Sequence, residues 1–169
     1  MNKFTLVACS TAASLLLVTS SASADNYYDW RRWGDSIQGA WQVEVTVRLP
    51  AEDCSTSPPV PIGPNPFPSF NTFHEGGTMN EHGSRSSPAQ RSPGFGVWER
   101  IGHRKYAYRN MFHSFGDDGI LIATMDITSE LRLSNHGDTF TGVSRFVRTE
   151  VSGIVRNFCA TVTGERFTL

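Results

Sequence analysis

The feature that most constrains the fold of this chain is a series of six glycine-containing turn segments, which divides residues 69–167 into strand-length pieces. The pieces are Ser69–His74, Thr78–His82, Gly94–Ile101, Lys105–Phe115, Ile120–Leu133, Thr139–Val151 and Ile154–Phe167. None of them shows convincing helical periodicity. Because most of the turns are short, and short turns join antiparallel neighbours, the pattern predicts an all-β, up-and-down meander.

A further strand is predicted before this series, over Gln38–Leu49. Its apolar residues occupy the odd positions and its polar residues the even ones, as in a strand with one buried face. The apolar residues are Trp41, Val43, Val45, Val47 and Leu49. The eight antiparallel strands predict a closed barrel, whose interior is filled by side chains or holds one small ligand. A two-sheet sandwich is the alternative, but it needs longer connections than most of these turns provide.

The connection after the first strand, Pro50–Pro68, holds seven of the nine prolines of the chain. Proline fixes φ and removes a backbone donor, so this segment is predicted to be a loop with local polyproline character. We expect the loop to be held near its start by Cys54 and to cover part of the barrel mouth.

Residues 1–24 have the pattern of a secretory signal peptide. Lys3 supplies the positive charge, Phe4–Val18 the apolar stretch, and Ala22-Ser23-Ala24 the small residues that precede cleavage. A lipoprotein interpretation of the segment ending at Cys9 is set aside, because almost no hydrophobic residues precede that cysteine. The sequence therefore predicts export to the periplasm or the medium.

The rest of the chain is predicted to be one domain, with an irregular aromatic arm over residues 25–36 and the barrel over residues 37–169. A formal net charge of −1 gives no electrostatic reason to expect nucleic acid or an anionic membrane as a partner. No second apolar run is long enough for a stable membrane span. The oligomeric state stays open.

Three cysteines occur in the chain, and Cys9 would leave with the signal peptide. Cys54 follows the first predicted strand and Cys159 lies on the last, and barrel closure brings these two strands together. An even number of cysteines in an oxidising compartment predicts a disulfide. Nothing at metal-ligand spacing flanks either residue, so a structural bridge is the better interpretation.

Gly39-Ala40-Trp41 at the head of the first strand resembles the G-x-W start of lipocalin-like barrels. In that superfamily a tryptophan near the barrel floor is often covered by an arginine from the far end of the chain. The resemblance makes Arg166 the candidate here, as a cation over the Trp41 indole.

The chain also resembles secreted bacterial proteins of calycin type over nearly all of its mature length. The resembling features are Gly39-x-Trp41, Cys54 before a Pro-rich stretch, Phe73-x-x-Gly76-Gly77-Thr78, Ser87-Pro88-Ala89, Arg91-Ser92-Pro93-Gly94-x-Gly96-x-Trp98, and Cys159-Ala160-Thr161 with Arg166-Phe167. This resemblance implies the barrel fold and the disulfide. It implies no activity.

Five histidines raise the possibility of a metal site. His74 and His82 flank the Gly76-Gly77 turn, and Glu75 or Glu81 is close enough in sequence to be a third ligand. However, the chain has no tight H-x-H or H-E-x-x-H motif, so surface histidines are the preferred interpretation. We expect no metal and no cofactor.

Two strands leave their inward face undecided. In Lys105–Phe115, one face carries Tyr106, Tyr108, Asn110 and Phe112, and the other carries Arg109, Met111, His113 and Phe115. In Gly94–Ile101, either Trp98 points into the barrel or Glu99 does. An inward Glu99 would pair with Arg145 or act as a buried acid with a raised pKa.

The leading functional hypothesis is an exported barrel that binds a small hydrophobic or aromatic molecule in an apolar lumen. The expected wall residues are Trp41, Val43, Val45, Trp98, Tyr106, Tyr108, Phe112 and Met125. One alternative is a cofactor-free cyclase or isomerase in the same lumen, with Tyr108, Glu99 or Arg145 in the polar roles. Another is a packed barrel that acts through its surface, with the Tyr27–Trp33 arm as the contact. An ionisable pair in a wide lumen would favour the enzyme.

Overall fold

The computed structural model describes residues 36–60 and 63–168, and in these residues the fold is all-β. The predicted signal peptide and all of the aromatic arm except Ser36 lie outside the described residues. The eight strands are β1 (Gly39–Arg48), β2 (Phe67–Phe73), β3 (Thr78–Gly83), β4 (Gly94–Gly102), β5 (Lys105–Phe115), β6 (Leu121–Leu133), β7 (Thr139–Glu150) and β8 (Val155–Arg166).

The strands form a closed barrel in which every strand pairs antiparallel with its neighbours in sequence. Closure occurs between β1 and β8, in a register that sets Val45 opposite Val162 and Arg48 opposite Cys159. This confirms the predicted up-and-down barrel. Within residues 36–60 and 63–168, no helix is long and apolar enough to cross a membrane.

The predicted strand limits are close to the observed ones, with two informative differences. β2 begins at Phe67, so the Pro-rich loop ends at Pro66 and Pro68 belongs to a strand. Proline is tolerated near the first position of a strand, where one missing donor interrupts few ladder bonds. Leu49 follows the end of β1 and is 45% exposed, although it continues the apolar alternation of that strand.

One end of the barrel, the floor, is closed by packed side chains. The buried residues there include Ile37, Trp41, Phe73, Tyr106, Leu131, Leu133 and Phe140. The guanidinium carbon of Arg166 lies 4.3 Å from the centre of the Trp41 ring. Arg166 also donates hydrogen bonds to the carbonyl oxygens of Ser36 (2.6 Å), Gln38 and Gly137 (3.0 Å). These bonds fasten the start of the barrel to its last strand.

The opposite end, the mouth, carries the β1–β2, β3–β4, β5–β6 and β7–β8 connections. Cys54 and Cys159 form the predicted disulfide, with their Cα atoms 5.8 Å apart. The backbone around Cys54 lies against the outer wall, where Arg145 on β7 donates to the Glu52 carbonyl oxygen at 3.0 Å. Only a later part of the loop returns to the mouth, where Val60 donates to the Val47 carbonyl oxygen at 2.9 Å. The loop therefore clamps the outside of the barrel as well as bordering its mouth.

Candidate functional site: the barrel cavity

A cavity of about 300 Å³ occupies the half of the barrel nearer the mouth. Its apolar wall consists of Val43, Val45, Val47, Val60, Phe67, Phe112, Met125, Ile127, Phe146, Phe158 and Val162. These residues come from six of the eight strands, all except β3 and β4, together with Val60 of the Pro-rich loop. The wall exists because the inward positions of the strands carry apolar side chains while the outward positions are polar or exposed.

Buried polar side chains form a second group inside the barrel, and most of them line the same cavity as the apolar wall. We call this group the polar belt: Ser69, Asn71, Glu81, Arg91, Tyr108, Asn110, Ser129 and Ser144. Strand pairing brings several members side by side, since Tyr108 lies opposite Ser129 and Ser129 lies opposite Ser144. Burial of so many polar groups is costly unless they are hydrogen-bonded.

An ion pair lies at the centre of the polar belt. Arg91 Nη2 is 2.6 Å from Glu81 Oε2, and Arg91 Nη1 is 3.3 Å from Oε1. The two side chains are 5% and 11% exposed. Ser69 Oγ donates to the remaining acceptor site on Oε1 at 2.8 Å. The guanidinium of Arg91 also lies over the ring of Phe112, 3.7 Å from its centre.

Two inward-facing glycines make room for this pair. A Cβ atom at Gly83 would lie 2.6 Å from Nη1 of Arg91 and 2.9 Å from Oε1 of Glu81. A Cβ atom at Gly94 would lie 2.8 Å from Oε2 of Glu81 and 2.7 Å from Nδ2 of Asn110. Real Cβ atoms essentially never show contacts this short. A larger residue at either position would therefore displace the ends of these belt side chains.

Tyr108 places a hydroxyl among the serines of the belt. Burial raises the pKa of Tyr108, while hydrogen bonds with Ser129, Ser144 and Asn71 act in the opposite direction. Ser129 Oγ and Ser144 Oγ are themselves 2.6 Å apart. The raised pKa keeps the phenol protonated at neutral pH, so Tyr108 serves as a hydrogen-bond donor and is a poor base.

Asn110 differs from the other members of the belt. Its side chain is 1% exposed and lines the cavity, yet neither Nδ2 nor Oδ1 has a hydrogen-bond partner in the described structure. A buried carboxamide without partners is unusual in native proteins and calls for an explanation. Because Asn110 lines the cavity, a molecule bound there could supply the missing hydrogen bonds.

Two arginines line the cavity in addition to Arg91 of the ion pair. They are Arg85 and Arg148, whereas Glu81 is the one carboxylate among the lining residues that the structure describes. Glu150, at the rim, is 3.6 Å from Arg148 and 3.2 Å from Arg156. Burial lowers the pKa of Arg85. The residues that line the cavity therefore carry more positive than negative charges.

The structure divides the eight predicted wall residues into two groups. Val43, Val45, Tyr108, Phe112 and Met125 line the cavity. Trp41, Trp98 and Tyr106 lie below it, in the packing of the floor. The ring centres of Trp98 and Tyr106 are 5.9 Å apart, and this packing leaves no room for a ligand between them.

The structure shows which face of β4 and which face of β5 points into the barrel. Tyr106, Tyr108 and Asn110 are buried on the inward face of β5, and Arg109 on its outward face bonds Asp126 at 2.6 Å. Trp98 points inward from β4. Its neighbour Glu99 is exposed on the outer wall. Of the two alternatives left open for β4, the structure shows the one in which Trp98 points inward, and Glu99 neither pairs with Arg145 nor acts as a buried acid.

Arg145 also lies on the outer wall, where it holds the loop carbonyl of Glu52. It therefore takes no part in the cavity. The two histidines near the Gly76-Gly77 turn are exposed and do not face each other, since His82 pairs with Phe70. Within residues 36–60 and 63–168, no three His, Cys, Asp or Glu side chains are grouped to hold a metal ion.

Sequence patterns did not indicate the inward positions of Glu81, Arg91 and the belt serines. One signal was available on β3, where Glu81 follows the buried Met79 by two positions and so shares its face. No comparable signal exists for Arg91, which lies in the β3–β4 connection, outside the eight strands. A single isolated β-bridge to Ser114 holds its backbone beside β5.

Comparisons of the chain with protein-family models, with curated proteins and with solved structures found no match. The likeness to lipocalin-like and calycin-type proteins therefore stays a prediction from the sequence motifs. What the chain does has to be inferred from the cavity itself.

Proposed function

We propose that this protein binds one small, mainly apolar molecule inside the barrel. The observation that supports the proposal is the cavity of about 300 Å³, which opens at the mouth and has aliphatic and aromatic walls. Ligand sites are typically concave, mostly apolar and equipped with a few polar groups that fix orientation. The cavity lies at the lower limit of the usual range of about 300–1,000 Å³, so the ligand is compact.

The size of the cavity restricts the ligand further. An engineered apolar cavity of about 150 Å³ accommodates benzene, and this cavity has about twice that volume. One ring with a substituent fits such a space, whereas a long acyl chain or a fused polycycle does not. The aromatic residues Phe67, Phe112, Phe146 and Phe158 supply flat surfaces for a ring.

A matched pair of variants tests whether the cavity is the binding site. Met125 faces the cavity, and Met111 is 44% exposed on the outer wall. We expect Met125→Trp to fill the lumen and to weaken binding of toluene and p-cresol at least about tenfold. The same substitution at the outer position, Met111→Trp, leaves binding unchanged.

Binding is measured by saturation-transfer NMR and by the ligand-dependent rise in melting temperature. Equal loss in both variants, or no binding to the unmodified protein, contradicts the proposal.

An enzyme that uses the lumen is the second candidate, and the buried ion pair of Glu81 and Arg91 is the observation in its favour. Two features weigh against it. Both carboxylate oxygens of Glu81 are already engaged, and the raised pKa of Tyr108 makes that phenol a poor base. If the protein converts its ligand, the small molecule extracted after incubation differs from the one added. If it only binds, the compound is recovered unchanged.

The alternative of a fully packed barrel that acts through its surface receives no support from the cavity. The arm proposed as its contact lies outside the described residues. Export to the periplasm or the medium remains part of the proposal, supported by the disulfide, which persists in oxidising compartments.

A further inference from the structure

We propose that Asn110 is the specificity-determining residue of this cavity and that it selects a ligand with a neutral amide head, either a primary carboxamide or a lactam. The inference rests on the proposed binding function and deepens it. An asparagine side chain presents one acceptor and one donor group side by side. An amide head presents the complementary donor and acceptor, so two hydrogen bonds form together.

The first support is that both polar atoms of Asn110 lack partners while the side chain is 1% exposed. A buried donor and a buried acceptor without hydrogen bonds destabilise the folded state. The other side chains of the belt whose contacts are described have at least one partner, as in the Ser129–Ser144 contact. Two polar atoms without hydrogen-bond partners therefore lie next to each other, on one residue of the cavity wall.

The second support is the space beside the carboxamide. Gly96 lies opposite Asn110 on β4, and Gly94 lies near its Nδ2. A side chain at either glycine would collide with Asn110, and Cβ at Gly96 would lie 2.6 Å from the asparagine Cβ. The glycines therefore give the Asn110 side chain the room it occupies in the cavity wall.

Charge argues for a neutral head at this depth. The nearest ionised groups are Glu81 and Arg91, which neutralise each other across 2.6 Å. Glu81 Oε2 and Asn110 Nδ2 approach the same point beside Gly94, so a carboxylate placed there would meet a like charge. A neutral carbonyl oxygen, in contrast, accepts from Asn110 Nδ2 without bringing a second negative charge beside Glu81. The basic groups that would favour an anion, Arg85 and Arg148, border the upper part of the cavity.

The test compares four probes of similar size: benzamide, acetophenone, benzoate and toluene. Benzamide offers a donor and an acceptor, acetophenone an acceptor only, benzoate a charged pair of acceptors, and toluene neither. For each probe the dissociation constant is measured for the unmodified protein and for Asn110→Leu, an apolar residue of similar size. For each probe, the ratio of the two dissociation constants is independent of the cost of dehydrating that probe.

We expect Asn110→Leu to weaken the binding of benzamide at least about tenfold more than the binding of acetophenone. The binding of toluene should stay unchanged or become tighter. The side-chain amide resonances of Asn110 should shift with benzamide and not with toluene, a readout that requires no variant. In the absence of ligand, Asn110→Leu should raise the melting temperature by roughly 3–6 °C, because it removes unpaired polar atoms.

The other outcomes overturn the inference in distinguishable ways. If Asn110→Leu changes the dissociation constants of all probes equally, the cavity binds small molecules but Asn110 does not determine which one. If benzoate depends on Asn110 more than benzamide does, the head is an anion. If Asn110→Leu lowers the melting temperature and the amide resonances do not respond to benzamide, the residue is structural. If no probe binds, including toluene, the proposed binding function fails together with the inference.

Discussion

At the centre of the barrel, Arg91 and Glu81 hold opposite charges in a place that water hardly reaches. Bringing each charge out of water is expensive, and the attraction within the pair offsets most of that cost only while both partners are present. The contacts of Glu81 with Ser69 and of Arg91 with the Gly83 carbonyl oxygen satisfy further hydrogen-bonding positions. The pair therefore acts as a unit, and removing one member is worse than removing both.

We predict that Arg91→Met lowers the free energy of unfolding by about 3–5 kcal/mol, because it leaves the Glu81 carboxylate buried and unpaired. The double variant Glu81→Gln with Arg91→Met should recover most of this loss. The measurement is urea denaturation at neutral pH. Arg109→Met, which breaks an exposed pair with Asp126, serves as the control and should change stability far less. A double variant less stable than Arg91→Met would contradict the idea of a unit.

The buried phenol of Tyr108 makes stability depend on alkaline pH. Its pKa is raised in the folded protein, so above the ordinary value of about 10 the unfolded chain loses a proton that the folded chain keeps. Stability contributed by the protonated phenol is complete below this pH and falls as pH rises, by up to about 1.4 kcal/mol per pH unit. We predict that Tyr108→Phe makes this decline less steep. Denaturation curves at about pH 9 and about pH 11 test this, and equal declines would refute it.

At the scale of single residues, strand alternation indicated which side chains are apolar and inward, but not how they divide between cavity and floor. Val45 and Trp41 lie on the same face of β1. For Trp41 the floor position was predicted from the G-x-W resemblance and not from the alternation, and in the structure Arg166 and Phe140 pack on its indole. Such packing depends on distant parts of the chain. The position of Arg91 was not predictable for the same reason.

Among the elements, the Pro-rich loop depends most on a covalent link. Cys54 attaches it to β8 across a sequence separation of 105 residues, and both half-cystines are 1% exposed. The loop has few backbone bonds to the sheet, such as Val60 to Val47. Without the disulfide, the segment around Cys54 would be held to the outer wall mainly by the Arg145–Glu52 bond and by the bond from Arg48 to the Ser57 carbonyl oxygen.

We predict that the double variant Cys54→Ser with Cys159→Ser loses about 4–5 kcal/mol of stability, the value expected for releasing a loop of this length in the unfolded chain. Guanidinium denaturation measures the loss. Reduction of the unmodified protein should give a similar decrease, which serves as an independent check. A change below about 1 kcal/mol would mean that the unfolded chain is already compact or that the bridge is strained.

Elements were predicted better than sites, and the reason is physical. Period-2 alternation in β1 and glycine turns such as Gly76-Gly77 and Gly153 act locally, and positive φ angles occur at these glycines as such turns require. The start of β2 was missed because Phe67 and Pro68 look like a continuation of the Pro-rich loop. Their assignment to a strand comes from pairing with Val45 and Glu44, which is information about the neighbouring strand.

For the whole molecule, closure between β1 and β8 decides whether a cavity exists at all. An open sheet with the same inward side chains would expose them, whereas the closed barrel leaves a space that the side chains only partly fill. The eight strands also bury every sheet edge, which removes the places where another chain could add a strand.

The predicted export can be checked on the whole protein. If the segment ending at Ala24 is a signal peptide, the protein secreted by a bacterial host starts at Asp25 and contains no free thiol. Intact mass spectrometry with and without a thiol-alkylating reagent measures both properties. A mass that still includes the first 24 residues, or alkylation before reduction, would contradict the export hypothesis.

The clamp of Arg166 on the carbonyl oxygens of Ser36 and Gln38 has a consequence for how the protein can be attached to anything else. The first described residues and the end of β8 meet at the floor, on the side opposite the mouth. A surface linker joined after β8 would therefore leave the barrel on the floor side and not across its opening. Immobilised through that end, the barrel would face the solution with its cavity outward.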